Sequence, residues 1–193
     1  FKYHQKLSII KTIELKNKNQ KQILWGHIPR SGKSYIMAGV IIEDNKNNYL
    51  IITTAPNETI EQYLKILDCI QLKEYNIIYL NRNNNNLIKD KNIIICSKQY
   101  LQNKNISWLK NIIFDIRFID ESHNGGTTEL AKNILNNYSK DSFTIQITAT
   151  YSKPSNDFNI SKDNWILWSL EDINLCKYYN LEKIFSTIGN NKY

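Results

Sequence analysis

Two short stretches hold residue types able to work on phosphate. The first is Trp25-Gly26-His27-Ile28-Pro29-Arg30-Ser31-Gly32-Lys33-Ser34, entered by the apolar run Ile23-Leu24-Trp25 and left by the helix-compatible run Tyr35–Ile42. A strand, a polar loop, Gly-Lys-Ser and a helix together form an anion cradle. Loop and helix-terminal N–H groups converge on the anion, and the helix dipole favours negative charge there. Lys33 would reach the β- and γ-phosphates of a nucleotide, and the Ser34 hydroxyl would ligate Mg²⁺. The second stretch is Asp120-Glu121-Ser122-His123, which follows Ile116-Arg117-Phe118-Ile119 directly. A carboxylate at the end of such a strand can hold Mg²⁺, usually through water because that ion dehydrates reluctantly. Glu121 beside it would orient and deprotonate a water attacking the γ-phosphate.

Each stretch also has a plainer reading. Counting back from Gly32 places His27, not Gly26, in the first position of the Gly-x₄-Gly-Lys-Ser pattern. Arg30 stands where many such loops carry glycine, so a positive φ there would be strained. The first stretch would then be an ordinary polar turn capped by Ser31, and Asp120-Glu121 a helix cap. What favours the nucleotide reading is that both follow strands in one alternating pattern.

That pattern positions them. Residues 2–16 read as a helix with Tyr3, Leu7, Ile10 and Ile13 along one face, and Gln5 in its first turns reads as a solvated helix residue. Apolar runs predict strands at Ile23–Trp25, Tyr49–Thr54, Tyr75–Leu80, Asn92–Ser97, Phe114–Ile119 and Phe143–Ile147. Helices are expected over 35–42, 59–70 (Ile60, Tyr63, Leu64 and Leu67 on one face), from 98, and from Gly125-Gly126 to about 136. The Asn83–Asn86 run reads as a loop tip. Strands alternating with helices imply a three-layer α/β fold around a mostly parallel sheet. Ligands bind such sheets beyond the carboxyl ends of the strands. The phosphate loop, the acidic tetrad and Thr148-Ala149-Thr150 all belong to that edge.

Composition sets wider bounds. With 193 residues, 41% of them hydrophobic and 11% aromatic, the chain can bury one full core. No run approaches the roughly 18 apolar residues of a membrane helix, so no membrane partner is expected. Nothing before Gln20 resembles a secretory signal. The three cysteines are scattered, which suits a reducing, intracellular setting such as cytoplasm, nucleus or virion. Met37 is the only methionine, so Phe1 is not an initiator and a piece of a longer protein is expected. A net charge of +7 favours a polyanionic partner, DNA or RNA. The Ile-, Asn-, Lys- and Tyr-rich usage that an A·T-rich genome produces accounts for the same charge without any binding.

At Asp120-Glu121-Ser122-His123 the chain resembles the superfamily 2 helicases, in the Asp-Glu-Ser-His form of the DEAD/DEAH box. Other stretches agree in order. Phe1-Lys2-Tyr3-His4-Gln5 resembles the family's adenine-reading glutamine stretch, and Pro29–Ser34 its motif I, in a variant seen in viral helicase-like proteins. Thr54-Ala55-Pro56-Asn57 with Gln62 is similar to motif Ia, which touches the nucleic-acid backbone. Ile95–Leu101, including Ser97, resembles the next motif on that track, and Thr148-Ala149-Thr150 resembles motif III, which links hydrolysis to nucleic acid. The resemblance implies an RecA-like P-loop NTPase domain over 1–150, and a C-terminal extension or connector over 151–193 towards a second RecA-like domain. It implies ATP and Mg²⁺ as cofactors, with Gln5, Arg30, Ser31, Gly32, Lys33 and Ser34 at the nucleotide. Ser34 and Asp120 would hold the metal, and Lys33, Asp120, Glu121 and His123 would serve hydrolysis. Pro56, Asn57, Ser97, Thr148 and Thr150 would meet or sense nucleic acid. The family's arginine finger comes from the second domain, so these residues alone would hydrolyse ATP hardly at all. A P-loop kinase or other NTPase, and a non-catalytic domain of the same fold, remain as alternatives.

Overall fold

The computed structural model describes residues 1–54, 56–81, 89–103, 106–120, 136–138, 141–149 and 159–184. Along the chain run α1 (Tyr3–Asn17), β1 (Gln22–His27), α2 (Lys33–Asp44), β2 (Asn48–Thr53), α3 (Pro56–Leu67), β3 (Asn76–Leu80) and β4 (Asn92–Ser97). Then come α4 (Lys98–Asn103), α5 (Ser107–Lys110), β5 (Ile116–Ile119), β6 (Phe143–Thr148), β7 (Trp165–Trp168) and α6 (Leu170–Tyr178). The strands make one seven-stranded sheet of order β3-β4-β2-β5-β6-β1-β7. Every neighbouring pair in it is parallel.

Parallel strands covered on both faces need apolar side chains at successive positions, and the isoleucine runs supply them. In β2, Tyr49 and Ile51 join the core beneath α1, α2 and α3. Leu50 and Ile52 point the other way, into a second core with Leu101 of α4 and Leu109 of α5. β4 alternates likewise, Ile93 and Ile95 against Ile94 and Cys96. The sheet is therefore the middle of three layers, as expected.

Three expectations change. Two of the apolar residues expected to face inward from α1 do not, Leu7 being 45% and Ile10 59% exposed, while Ile13 does pack, partly buried, against the core. The buried side is mostly polar (His4, Gln5, Ser8, Thr12) with Ile9 and Leu15. Hydrogen bonding explains this choice, since the buried Trp25 Nε1–H donates to Thr12 Oγ1 at 3.0 Å. Second, α3 begins earlier than expected, with Pro56 in its first turn, where a missing N–H costs nothing. Third, a seventh strand comes from the segment expected to be a connector: Trp165–Trp168 lies alongside β1, Trp25 opposite Ile166. The expected Asn83–Asn86 loop and most of the helix after Gly125 lie outside the described residues.

Helices α1 and α2 pack closely at Gly39, where a Cβ would fall 2.2 Å from Ile9 Cδ1. Overpacking costs about 1–3 kcal/mol, against roughly 1 kcal/mol of helix propensity gained by alanine. Gly39→Ala is therefore expected to lower the urea midpoint modestly. Ile9→Val, which alone costs about 0.5–1.5 kcal/mol, is expected to be neutral or stabilising in the Gly39→Ala background. Additive losses in urea melts would show that the two side chains do not compete.

Candidate nucleotide site

Because every strand runs the same way, β1, β2, β4, β5 and β6 end at one edge. Gly26 pairs with Thr148, and Thr53 with Ser97. Asp120, just past β5, ties its backbone N–H to the Ile52 carbonyl at 2.8 Å. The phosphate loop, Asp120, Thr148 and Ser97 thus gather at the carboxyl edge. Pro56 and Asn57 begin α3 beside it, their side chains outside the described ones. Glu121, His123 and Thr150 lie outside the described residues.

The loop is tightly wound. Arg30 has φ 62° and Gly32 φ 85°. A non-glycine residue in the left-handed region costs roughly 1–2 kcal/mol, so the strain that the sequence foretold at Arg30 is present. At Gly32 glycine is required twice over, by its φ and because a Cβ would sit 2.3 Å from Gln5 Nε2. The turn is held from behind by α1. His4 Nε2 lies 2.7 Å and Gln5 Nε2 3.3 Å from the Ser31 carbonyl. A carbonyl only accepts, so His4 carries its proton on Nε2. Gln5 Oε1 meanwhile accepts the Lys2 N–H at 2.9 Å. Gln5 is therefore a buried brace of the loop and not the solvated residue its helix position suggested.

Behind the loop is a second relay. Ser8 gives its hydroxyl proton to the His4 carbonyl at 2.9 Å, so it can only accept from His27 Nε2 at 3.4 Å. His27 Nδ1 is then left as a buried acceptor with no partner. Burial first, and the nearby Lys33 charge second, push the His27 imidazole down to about 3. It is a neutral filler at a place where other loops have glycine.

Lys33 opens α2 and rests its ammonium 3.4 Å from the His27 carbonyl. A single neutral acceptor leaves most of its donor capacity to a phosphate. Tyr35 and Ile36 both donate to the Gly32 carbonyl, while the amides ahead of them have no helical acceptor. Ser31 Oγ is buried without a partner. The Ser34 hydroxyl and the Asp120 carboxylate are hard oxygen donors of the kind Mg²⁺ takes. This donor set fits a nucleotide with its metal. A cavity of about 560 Å³ opens beside the loop between His4, Arg30, Ser31 and Trp168, within the size range of small-molecule sites.

Elsewhere on the edge, Ser97 Oγ accepts the Tyr100 N–H at 3.0 Å, and Gln99 donates to the Thr54 carbonyl at 3.2 Å. Lys98 is nearly buried, and that burial lowers its pKa. Sequence reasoning missed three contributors. Tyr63 of α3 donates its hydroxyl to Asp120 Oδ2. His27 fills the back of the loop. Trp168, at the end of β7, accepts the Ile28 N–H on its carbonyl at 3.1 Å and stacks on His4 with ring centres 4.5 Å apart.

This sheet, with Gly-Lys-Ser where the loop after β1 opens α2, defines an α/β RecA-like fold. The chain belongs to the family described as type III restriction enzyme, res subunit (ResIII), whose model matches residues 1–153, a helicase-like ATPase domain family within superfamily 2. Two solved structures are similar in fold. One is the Sulfolobus solfataricus SWI2/SNF2 ATPase core in complex with dsDNA, with TM-score 0.61 and 17% identity over 81% of this chain and 33% of that one. The other is the UvsW helicase from bacteriophage T4, with TM-score 0.60 and 16% identity over 81% of this chain and 55% of that one. The chain thus spans about a third and just over half of these two. Among curated proteins none matches. No helix among the described residues is long and apolar enough to cross a membrane.

The buried histidine yields a pH prediction. The unfolded chain takes up a proton at His27 below about pH 6.5, whereas the folded chain does so only near 3. His27 therefore contributes stability that is full above pH 6.5 and is lost as pH falls from there towards 3, by up to about 1.4 kcal/mol per pH unit. Urea melts of His27→Asn between about pH 6.5 and about pH 4 are expected to show a slope shallower by close to one proton. An unchanged slope would mean that other groups carry the acid sensitivity.

Proposed function

We propose that this chain is the nucleotide-binding motor domain of a superfamily 2 helicase or translocase, coupling ATP hydrolysis to movement along nucleic acid or to its unwinding. The observation that carries it is the family match over 1–153 together with Gly32-Lys33-Ser34 and Asp120 at one sheet edge. In this reading Lys33 and the amides at the start of α2 hold the β- and γ-phosphates. Arg30 and Ser31 shape the turn, and Gln5 braces it next to the adenine. Ser34 and Asp120 hold Mg²⁺, which when bound neutralises charge on the β- and γ-oxygens. Glu121 takes the proton of a water whose oxygen attacks the γ-phosphorus. The bond to the β–γ bridging oxygen breaks, and ADP and phosphate leave. His123, Thr148 and Thr150 relay the nucleotide state to a nucleic-acid track on which Pro56, Asn57 and Ser97 lie.

The net charge of +7 supports a polyanionic partner. The likeness to the UvsW helicase favours unwinding, and the dsDNA of the SWI2/SNF2 core favours duplex translocation without strand separation as a second reading. The share of those proteins that this chain covers supports a second RecA-like domain supplying the arginine finger. Such a finger is worth about 10³–10⁵ in rate, so these 193 residues alone are read as binding ATP–Mg and hydrolysing it hardly at all. The viral character of the loop variant and the intracellular setting belong to this proposal too, on residue pattern alone.

The test is ATP binding to this chain with Mg²⁺ and with EDTA. Wild type is expected to bind in a Mg²⁺-dependent way, with affinity reduced at least about tenfold in both Lys33→Ala and Asp120→Ala, in line with loss of a charge-assisted contact. Unchanged binding in Lys33→Ala would overturn the phosphate-loop assignment. Brisk turnover by these residues alone, abolished in Lys33→Ala, would overturn the need for a second domain.

A further inference from the structure

Helix α3 presents Ile60, Tyr63 and Leu67 to the core, exposed by 6%, 3% and 2%. Ile60 and Leu67 are hydrocarbon and need only space. Tyr63 differs, because its hydroxyl continues past the apolar layer and donates to Oδ2 of Asp120, itself 5% exposed, at the end of β5. Packing does not require that oxygen, since phenylalanine would fill the same volume. A buried carboxylate does benefit from a donor, because desolvation without hydrogen bonds is costly. The backbone of Asp120 is already fixed through its N–H to Ile52. What the phenol adds is control over the side chain.

The helix that carries the phenol is itself anchored at the same edge. Its first turn follows the end of β2, where Thr53 Oγ1 and Thr59 Oγ1 lie 2.9 Å apart. From Pro56 to Tyr63 is two helical turns, roughly 10 Å at 1.5 Å per residue. One helix thus runs from Pro56 to the residue that holds the carboxylate expected to bind the metal.

We propose that Tyr63 is a positioning residue for Asp120. It sets the orientation of the carboxylate towards the metal and makes that orientation depend on where α3 sits. A ligand that shifts the start of α3 therefore changes the metal site without touching it. The inference rests on the reading of Asp120 as a Mg²⁺-holding residue.

The experiment titrates Mg²⁺ into this chain with a fluorescent ATP analogue, for wild type, Tyr63→Phe and Ile60→Val. The last variant loosens the same face of α3 but leaves the hydroxyl in place. Tyr63→Phe is expected to raise the Mg²⁺ concentration for half-maximal binding about tenfold, as loss of a bond that orients a metal-holding residue does. Binding in EDTA should stay within about twofold of wild type, and Ile60→Val should leave the Mg²⁺ dependence alone. If Tyr63→Phe titrates like wild type, or if Ile60→Val shifts the midpoint equally, the positioning role is overturned and the assignment of Asp120 stands. If wild type binds without any Mg²⁺ dependence, the assignment of Asp120 fails and the inference falls with it.

Discussion

The Ser31 carbonyl is the point on which the phosphate loop depends. Two side chains of α1, His4 and Gln5, converge on it. Both are buried, and the residue that follows it is locked at φ 85°. A left-handed arginine and a left-handed glycine on either side of Ser31 make a conformation that the chain would abandon if it were free. It persists because α1 over-determines it from behind, and α1 is in turn fixed to β1 through Thr12 and Trp25. The polar face of α1 is therefore structural in origin and functional in effect. It gives up apolar burial so that the loop's backbone has donors where it needs them.

The same trade explains how much of the architecture could be read from residue types. The isoleucine-rich runs announce strands because a parallel strand covered on both faces leaves no room for polar alternation. Six of the seven strands follow from that signal, and so does the gathering of the loop, Asp120 and Thr148 at one edge. β7 was not legible. It has only four residues, sits at the sheet's margin and is only partly buried, so its composition is that of any Trp-rich surface segment. α1 was legible as a helix but not in its orientation. Apolar spacing assigned its inward side to Leu7 and Ile10, whereas hydrogen bonds to β1 and the loop decided for His4, Ser8 and Thr12. Periodicity measures hydrophobicity, and it has no means of seeing a carbonyl that needs a donor.

Tyr63 was hidden for the opposite reason. It fell on the correct apolar face of α3 and looked like core, and core it is. A buried tyrosine still has to satisfy its hydroxyl, and that requirement was the only clue the sequence offered. The partner is 57 residues away. Its identity needs the sheet order, since β2, which leads into α3, lies next to β5, which ends just before Asp120.

The distribution of unsatisfied polar atoms bears on what this edge is for. Among the described residues four buried side-chain atoms have no partner, and His27 Nδ1, Ser31 Oγ and Thr54 Oγ1 belong to the ends of β1 and β2 or the loop between β1 and α2. The fourth, Gln146 Oε1, is in β6 two residues before Thr148. Each such atom costs about 1–3 kcal/mol, a sizeable part of a domain's net stability of roughly 5–15 kcal/mol. Among the described residues none of these atoms lies at the opposite end of the sheet. There the buried Arg117 guanidinium reaches the Tyr138 carbonyl at 2.8 Å and Thr144 Oγ1 at 3.0 Å. The carboxyl ends of β1 and β2 are buried whereas Gln22 and Asn48 at their starts are only partly so, and polar atoms at the carboxyl ends therefore have less access to water. Among the described residues, the buried polar atoms left unmatched lie mostly where β1 and β2 run out at the proposed nucleotide site.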